Sequence, residues 1–238
     1  MKKPSDNKVE FITSENEHYY PSPKKKGIWY PSITTLLSIY PHGVGLNRWL
    51  AAQSSWEASQ EVLKAAGKRG TKVHEATQLL EQGSELFRDS YSLEEYEMLM
   101  GFVEWHNLFK PKMIHMEKSL VSDRMKTGGT VDRIYEINGK TILLDIKTSS
   151  AVHDNYWIQV AAYAKLVKEK LGITVDATAI LRLRQLKGNT KTRFEYKAHD
   201  KEEYEFDFEE FPRVQFIWNR LNPKAGPKIL EIPTTLKL

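Results

Sequence analysis

The chain contains no cysteine. Disulfides, thiolate-bound zinc and cysteine-held iron–sulfur clusters are therefore excluded, and a reducing compartment is compatible with the composition. No apolar run approaches membrane-spanning length, and the opening residues MKKPSDNKVE lack the apolar core of a signal peptide. The expectation is a soluble cytoplasmic protein with no membrane partner. No GxxxxGK[ST] phosphate loop occurs, so no motor of that kind is built in. A strong excess of one charge is also missing: 35 Lys and Arg stand against 31 Asp and Glu, a net +4. Such a balance permits an anionic partner without requiring one. What is present suffices for a real core, since 40% of the 238 residues are hydrophobic and 11% aromatic.

The stretch that can carry chemistry is Gly128–Lys147, GGTVDRIYEINGKTILLDIK. Two β-type runs, 130–137 and 141–146, flank Asn138-Gly139, a strong short-range hairpin signal. Asp132 lies in the first run, and Asp145 and Lys147 end the second. Alternation places Asp145 and Lys147 on one face. Pairing across the turn can bring Asp132 close to them. Carboxylate oxygens suit Mg²⁺ or Mn²⁺, and an ammonium beside them can steady a phosphoryl oxygen or a water. Charges at strand ends are commonly only solvated. However, Leu143-Leu144-Asp145-Ile146-Lys147 brings a carboxylate and a lysine into a buried-looking run, which is costly unless they are paired or bind metal.

Residues 1–27 are polar and lysine-rich, and the segments around Phe11-Ile12 and His18-Tyr19-Tyr20 suit a small hairpin. Ser32 caps a helix beginning at Ile33-Thr34-Thr35-Leu36-Leu37. A second helix is expected from about Leu46 to Ala66. Gly67-Lys68-Arg69-Gly70 is expected to break it, and a new helix to start at Thr71 with Val73, Ala76 or Thr77, and Leu80 as its buried stripe. Free N–H groups at Gly70 and Thr71 would then suit a phosphate. His74 and Gln78, four apart, share a face of that helix.

Ser92 and Glu95 read as a capping box for a helix to Phe109. Lys112–Val121 reads as a strand, and its Glu117 is either an exposed carboxylate or a group turned towards Asp132. A helix capped by Asp154 or Asn155 runs to Leu171, with Tyr156, Gln159 and Tyr163 on one face. A strand over 175–183 and its return over 193–197 put Arg182 and Arg184 on one side, either for backbone phosphates or simply solvated. Tyr156, Trp157 and Trp29 either stack on unpaired bases or pack in the core. A final amphipathic helix carries Phe208, Phe211, Val214 and Trp218.

Taken in order, Gly70-Thr71-x-x-His74, Glu117, Gly129-x-x-Asp132, Asp145-Ile146-Lys147 and Gln159-x-x-x-Tyr163 resemble the PD-(D/E)XK nuclease superfamily in its RecB-type exonuclease branch. Tyr30–Leu37 also looks like the start of mitochondrial genome-maintenance exonucleases and small phage-borne relatives. The resemblance implies an α+β, restriction-endonuclease-like core. In it a mixed central sheet is flanked by helices, with an N-terminal helical portion over the cleft. It divides the chain into a polar segment 1–30, a nuclease domain 31–222 (helical part 31–110, catalytic core 67–185) and a tail 223–238.

The same resemblance assigns roles. His74, Asp132, Asp145 and the Ile146 carbonyl would bind one or two Mg²⁺ or Mn²⁺ ions, and Glu117 would be an auxiliary acid. Lys147 would activate water, and Gln159 and Tyr163 would orient it. Gly70, Thr71, Gln78, Thr148, Tyr156, Arg182 and Arg184 would touch substrate. The implied activity is exonucleolytic hydrolysis of single-stranded or end-containing DNA in a bacterial or phage-infected cell. Its setting would be recombination or repair, and the implied partners are DNA together with a second copy of the chain or a recombination or replication protein. A structure-specific endonuclease and a non-cleaving DNA binder are the alternatives. The N-terminus does not support a mitochondrial location.

Overall fold

In a computed structural model the described residues are 12–14, 17–41 and 44–227. Strands β1 (Ile12–Ser14), β2 (Glu17–Pro21) and β3 (Trp29–Pro31) form a small antiparallel sheet. This places the expected hairpin at Ile12 and His18–Tyr20, while Phe11 lies outside the described residues. Helix α1 (Ile33–Leu37) starts where Ser32 Oγ accepts from the Thr35 N–H.

Helices α2 (Val44–Ala51) and α3 (Trp56–Glu81) correct the sequence expectation. The first helix ends early because Ser55 caps a new start, accepting from the Ala58 N–H. The second then runs unbroken through Gly67 and Gly70. A glycine inside a helix costs about 1 kcal/mol, which tertiary packing can outweigh. Here Ser59, Val73, Ala76 and Thr77 are buried on the same helix. The consequence reaches the site: no helix begins at Gly70-Thr71, so its N–H groups are not free for a phosphate. Thr71 Oγ1 instead donates to the Gly67 carbonyl.

Helix α4 (Leu93–Phe109) opens on the Ser92/Glu95 capping box. The central sheet follows, with β4 (Lys112–Ser122), β5 (Thr127–Ile137), β6 (Lys140–Lys147), β7 (Ala177–Leu183) and β8 (Phe194–Asp200) in that spatial order. All neighbours pair antiparallel except β6 and β7, which are parallel and joined over α5 (Asp154–Leu171). His153, rather than Asp154 or Asn155, occupies the N-cap position of α5. Helices α6 (Lys201–Phe208) and α7 (Glu210–Leu221) close the described chain, where a single final helix was expected. The tail beyond residue 227 lies outside the described residues.

The fold is thus the expected α+β one, a mixed sheet covered on both faces. Helices α1, α5, α6 and α7 share one core with Ile134, Leu143 and Ile180. Helices α3 and α4 share the other with Tyr135, Leu144 and Leu181. Trp105 of α4 is fully buried, its ring 5.7 Å from that of Tyr135. Burial of one such side chain contributes about 1.5–3 kcal/mol. Small residues let α5 lie close to the sheet. Gly129 of β5 belongs to that contact, since a Cβ there would stand 2.3 Å from Cε1 of Tyr163. Among the described residues no helix is long and apolar enough to cross a membrane.

Candidate active site and metal centre

The β5–β6 hairpin is zipped at one end and open at the other. From the Asn138-Gly139 turn, where both residues have positive φ, pairing runs from Ile137↔Lys140 to Arg133↔Leu144 and stops. Beyond that point the Asp132 side chain replaces the ladder, its Oδ2 accepting from the Ile146 N–H at 2.9 Å. Strand β6 meanwhile stays paired to β7 as far as Lys147↔Arg182. Two strands therefore part where their carboxylates sit, and helix α3 covers the gap.

From α3, His74 enters this gap. Its Nε2 lies 2.7 Å from the Ile146 carbonyl and its Nδ1 lies 3.5 Å from Asp132 Oδ2. A carbonyl only accepts, so Nε2 carries the hydrogen, and in the neutral ring Nδ1 is left with its lone pair. Glu117 completes the group: one ligand atom from each of His74, Glu117 and Asp132 lies within 4.8 Å of the others. Glu117 falls opposite Asp132 in a register bracketed by Met116↔Arg133 and Lys118↔Val131. Its φ is +48°, and of the described non-glycine residues with positive φ it alone lies inside a strand. That backbone costs about 1–3 kcal/mol and persists only where the surroundings enforce it. Burial and the Asp132 charge push the Glu117 carboxyl above its ordinary value, against the pull of Arg133.

A second group adjoins the first. Asp145, 2% exposed, faces Lys147, whose Nζ lies 2.7 Å from Asp145 Oδ2. Gln159 of α5 ties both together: its Oε1 accepts from Lys147 at 3.2 Å, and its Nε2 donates to Asp145 Oδ1 at 2.9 Å and to the Tyr163 hydroxyl at 3.3 Å. The Lys147 ammonium also stands 4.7 Å over the Tyr156 ring. Burial raises the Asp145 carboxyl from 3.8 to about 6, although Lys147 opposes the shift. For Lys147 burial acts downward, but Asp145 and Asp132 together hold the ammonium above its ordinary value. Asp145 Oδ2 has the ammonium near it yet no hydrogen-bond donor aligned on it.

These donors fit a hard divalent cation. Carboxylate oxygens with one imidazole nitrogen are a suitable set for Mg²⁺ or Mn²⁺. The residues gathered closely enough to share one cation are His74, Glu117 and Asp132. Asp145 turns towards Lys147 and Gln159, and the Ile146 carbonyl already receives His74.

The site opens into a cleft of about 840 Å³. One wall is polar, made by His74, Lys147, Thr148 and Ser149, with Tyr156 at its end. The other is apolar, made by Leu46 and Trp49 of α2 and by Val62, Leu63 and Ala66 of α3. Gly70 and Thr71 also line it, as helical residues, and a Cβ on Gly70 would lie 3.2 Å from Thr148 Oγ1. Gln78 stays outside this lining. Arg182 and Arg184 edge a neighbouring hollow that shares Thr148–Ser150 with the cleft. Arg182 is held by Glu195 at 2.5 Å and by the Ser150 carbonyl at 3.0 Å. Trp157 stacks on His199 at 3.6 Å, away from the cleft, and Trp29 is half-buried in β3.

The sequence expectation missed Arg133, Glu81 and Thr77. Arg133 is fully buried, and its guanidinium reaches Glu81 of α3, Glu117 of β4 and Thr77 of α3. The signal was present: Arg133 alternates with Tyr135 and Ile137 on an apolar strand face, where a cation has to find buried partners.

Comparison with known proteins agrees with this geometry. The family description that the chain matches, over residues 46–223, is that of the PD-(D/E)XK nuclease superfamily. No curated protein matches the chain. A solved structure titled "Crystal structure of SSO0001" is 15% identical, with a TM-score of 0.32. The alignment covers 58% of this chain and 62% of that one, a likeness too slight to carry an argument.

Proposed function

The chain belongs to the PD-(D/E)XK nuclease superfamily, and from that premise we propose that it is a Mg²⁺- or Mn²⁺-dependent deoxyribonuclease of the RecB-type branch. In this reading it is an exonuclease acting on single-stranded or end-containing DNA, with residues 31–222 as its nuclease domain and 67–185 as the catalytic core. The observation that carries the reading is the meeting of His74, Glu117 and Asp132 near a half-buried Lys147, with His74 and Lys147 lining an open cleft.

His74 Nδ1, Asp132, Glu117 and Asp145 would hold the cation. When bound, it neutralises the phosphodiester and lowers the pKa of its water. The protein's own groups do the rest. The Ile146 carbonyl fixes the His74 tautomer, and the Ile146 N–H fixes Asp132. Lys147, kept charged by Asp145 and Asp132, offers its remaining hydrogens to a phosphoryl oxygen or to the attacking water. Gln159 has both ends of its amide engaged, which stops Lys147 and Asp145 from rotating apart. No covalent intermediate with the protein is needed.

The two walls of the cleft support a strand with free bases. In a duplex the bases stack on one another and expose little apolar face. In a single strand each base offers such a face, and stacking on an aromatic is worth about 1–3 kcal/mol per base. Trp49 and its aliphatic neighbours offer that surface beside the cation-binding groups. Tyr156 and Thr148 are the proposed contacts on the polar side.

The test uses end-labelled linear single strands, blunt duplexes and circular single strands, with Mg²⁺, Mn²⁺ or EDTA. The reading expects linear strands to shorten, circles to survive and EDTA to stop the reaction. Cut circles would make the protein an endonuclease. Retarded but intact DNA under all conditions would make it a binder.

A further inference from the structure

We propose that Arg133 is a positioning residue for the cation-binding trio, one guanidinium that fixes His74, Glu117 and Asp132 relative to one another. The proposal rests on the cation-binding role given above to those three residues.

The bonds of Arg133 are all to buried or half-buried groups. Nη1 donates to Glu117 Oε1 at 2.8 Å and to the Asp132 carbonyl at 2.8 Å. Nη2 donates to Thr77 Oγ1 at 3.2 Å, and that hydroxyl in turn donates to the His74 carbonyl at 2.7 Å. Nε donates to Glu81 Oε2 at 2.5 Å, while the Tyr135 hydroxyl donates to the other oxygen of Glu81. One planar fork therefore touches the side chain of one member of the trio, the backbone of the second and, through one hydroxyl, the backbone of the third. The members come from three elements, β4, β5 and α3, and Arg133 bonds to all three.

A purely structural role explains this less well. An ion pair with Glu81 alone would leave Arg133 anchored, yet a buried ion pair adds little stability compared with apolar residues of similar size. Most of the fork points instead towards the trio. Glu117 keeps a left-handed backbone inside a strand, and Arg133 is the bonded partner that holds its carboxylate there. With Oε1 taken by Arg133, Oε2 is the oxygen left for a cation. Lysine could supply the charge but not the planar fork that spans Glu117, the Asp132 carbonyl and Thr77 together.

The experiment measures Mn²⁺ affinity by calorimetry in the full chain, with thermal unfolding followed separately. The variants are Arg133→Met, Arg133→Lys, Glu117→Ala and the double variant Arg133→Met with Glu117→Ala. Partners that orient metal ligands typically contribute 10- to 100-fold in affinity. Arg133→Met and Arg133→Lys are expected each to weaken Mn²⁺ binding by about tenfold or more. In the Glu117→Ala background Arg133→Met is expected to cost less than in the parent, because the bond to Glu117 is already gone while those to Asp132 and Thr77 remain. Should Arg133→Met fold poorly, Arg133→Lys and Thr77→Val carry the test, the latter cutting only the link to His74. Unchanged affinity in the folded Arg133 variants overturns the proposal. Equal losses with and without the Glu117 carboxylate overturn it too, since holding that carboxylate would then carry none of the effect. Failure of the parental protein to bind Mn²⁺ would instead remove the cation reading and this proposal with it.

Discussion

Two cation–carboxylate groups, one around the fully buried Arg133 and one around the half-buried Lys147, lie next to each other and are closed to different degrees. Around Arg133, the Nε, Nη1 and Nη2 groups all have acceptors, and both oxygens of Glu81 are taken. Around Lys147, Gln159 ties the ammonium to one oxygen of Asp145, and the other oxygen lies 2.7 Å from the ammonium itself. A completed network holds its members still. The Lys147 group is more open, because its ammonium lines the cleft. In the reading proposed above, the closed group positions and the open one reacts.

The sharpest way to break the comparison is to remove the reacting cation. Lys147→Ala should lower single-turnover cleavage of a labelled strand by about 10²–10³-fold, the loss typical when a preorganised electrostatic donor is deleted. Its melting temperature should also fall, because the buried Asp145 carboxylate loses its counter-charge, so cleavage is compared at a temperature where both proteins are folded. Cleavage at the parental rate would contradict the role given to Lys147.

The next test concerns Asp145 in cation-free protein. Its carboxyl is raised from 3.8 to about 6 by burial. Between those two pH values the folded state keeps a proton that the unfolded state has released. This contribution to stability is present below pH 4 and is lost as the pH rises through about 6. Urea unfolding at a series of pH values should therefore show a smaller fall in stability over that window for Asp145→Asn than for the parent. Parallel curves would contradict it.

Two glycines give smaller effects of opposite sign. Gly129→Ala pushes a Cβ into the Tyr163 ring, which supports Gln159, and should cost about 1–3 kcal/mol in denaturant unfolding. Gly67 sits mid-helix, and a methyl group added there would meet nothing within 4 Å, so Gly67→Ala should gain up to about 1 kcal/mol. A loss at Gly67 would mean that the continuous α3 is wrong and that the break expected from the sequence is right.

Features with local causes were legible in the sequence. The Asn138-Gly139 hairpin, the Ser92/Glu95 box and the Gln159–Tyr163 pair each depend on residues a few positions apart, and each is in place. The joint α6–α7 region was not separated, although Asp200 and Glu203 form a capping box that would have marked its start. The course of α3 could not be read locally, because packing against distant residues outweighs its two glycines. The Arg133 network was out of reach for the same reason: its partners lie 52, 16 and 56 residues away along the chain. Spacing within a motif can suggest which residues share a site, but not which buried cation keeps them in register.

The most direct test is anomalous diffraction from a crystal soaked in Mn²⁺. The account predicts a peak within coordination distance of His74, Glu117 and Asp132, on the side facing Asp145. Full Mn²⁺ in the soak with no peak among those residues, or with peaks only elsewhere, would contradict it.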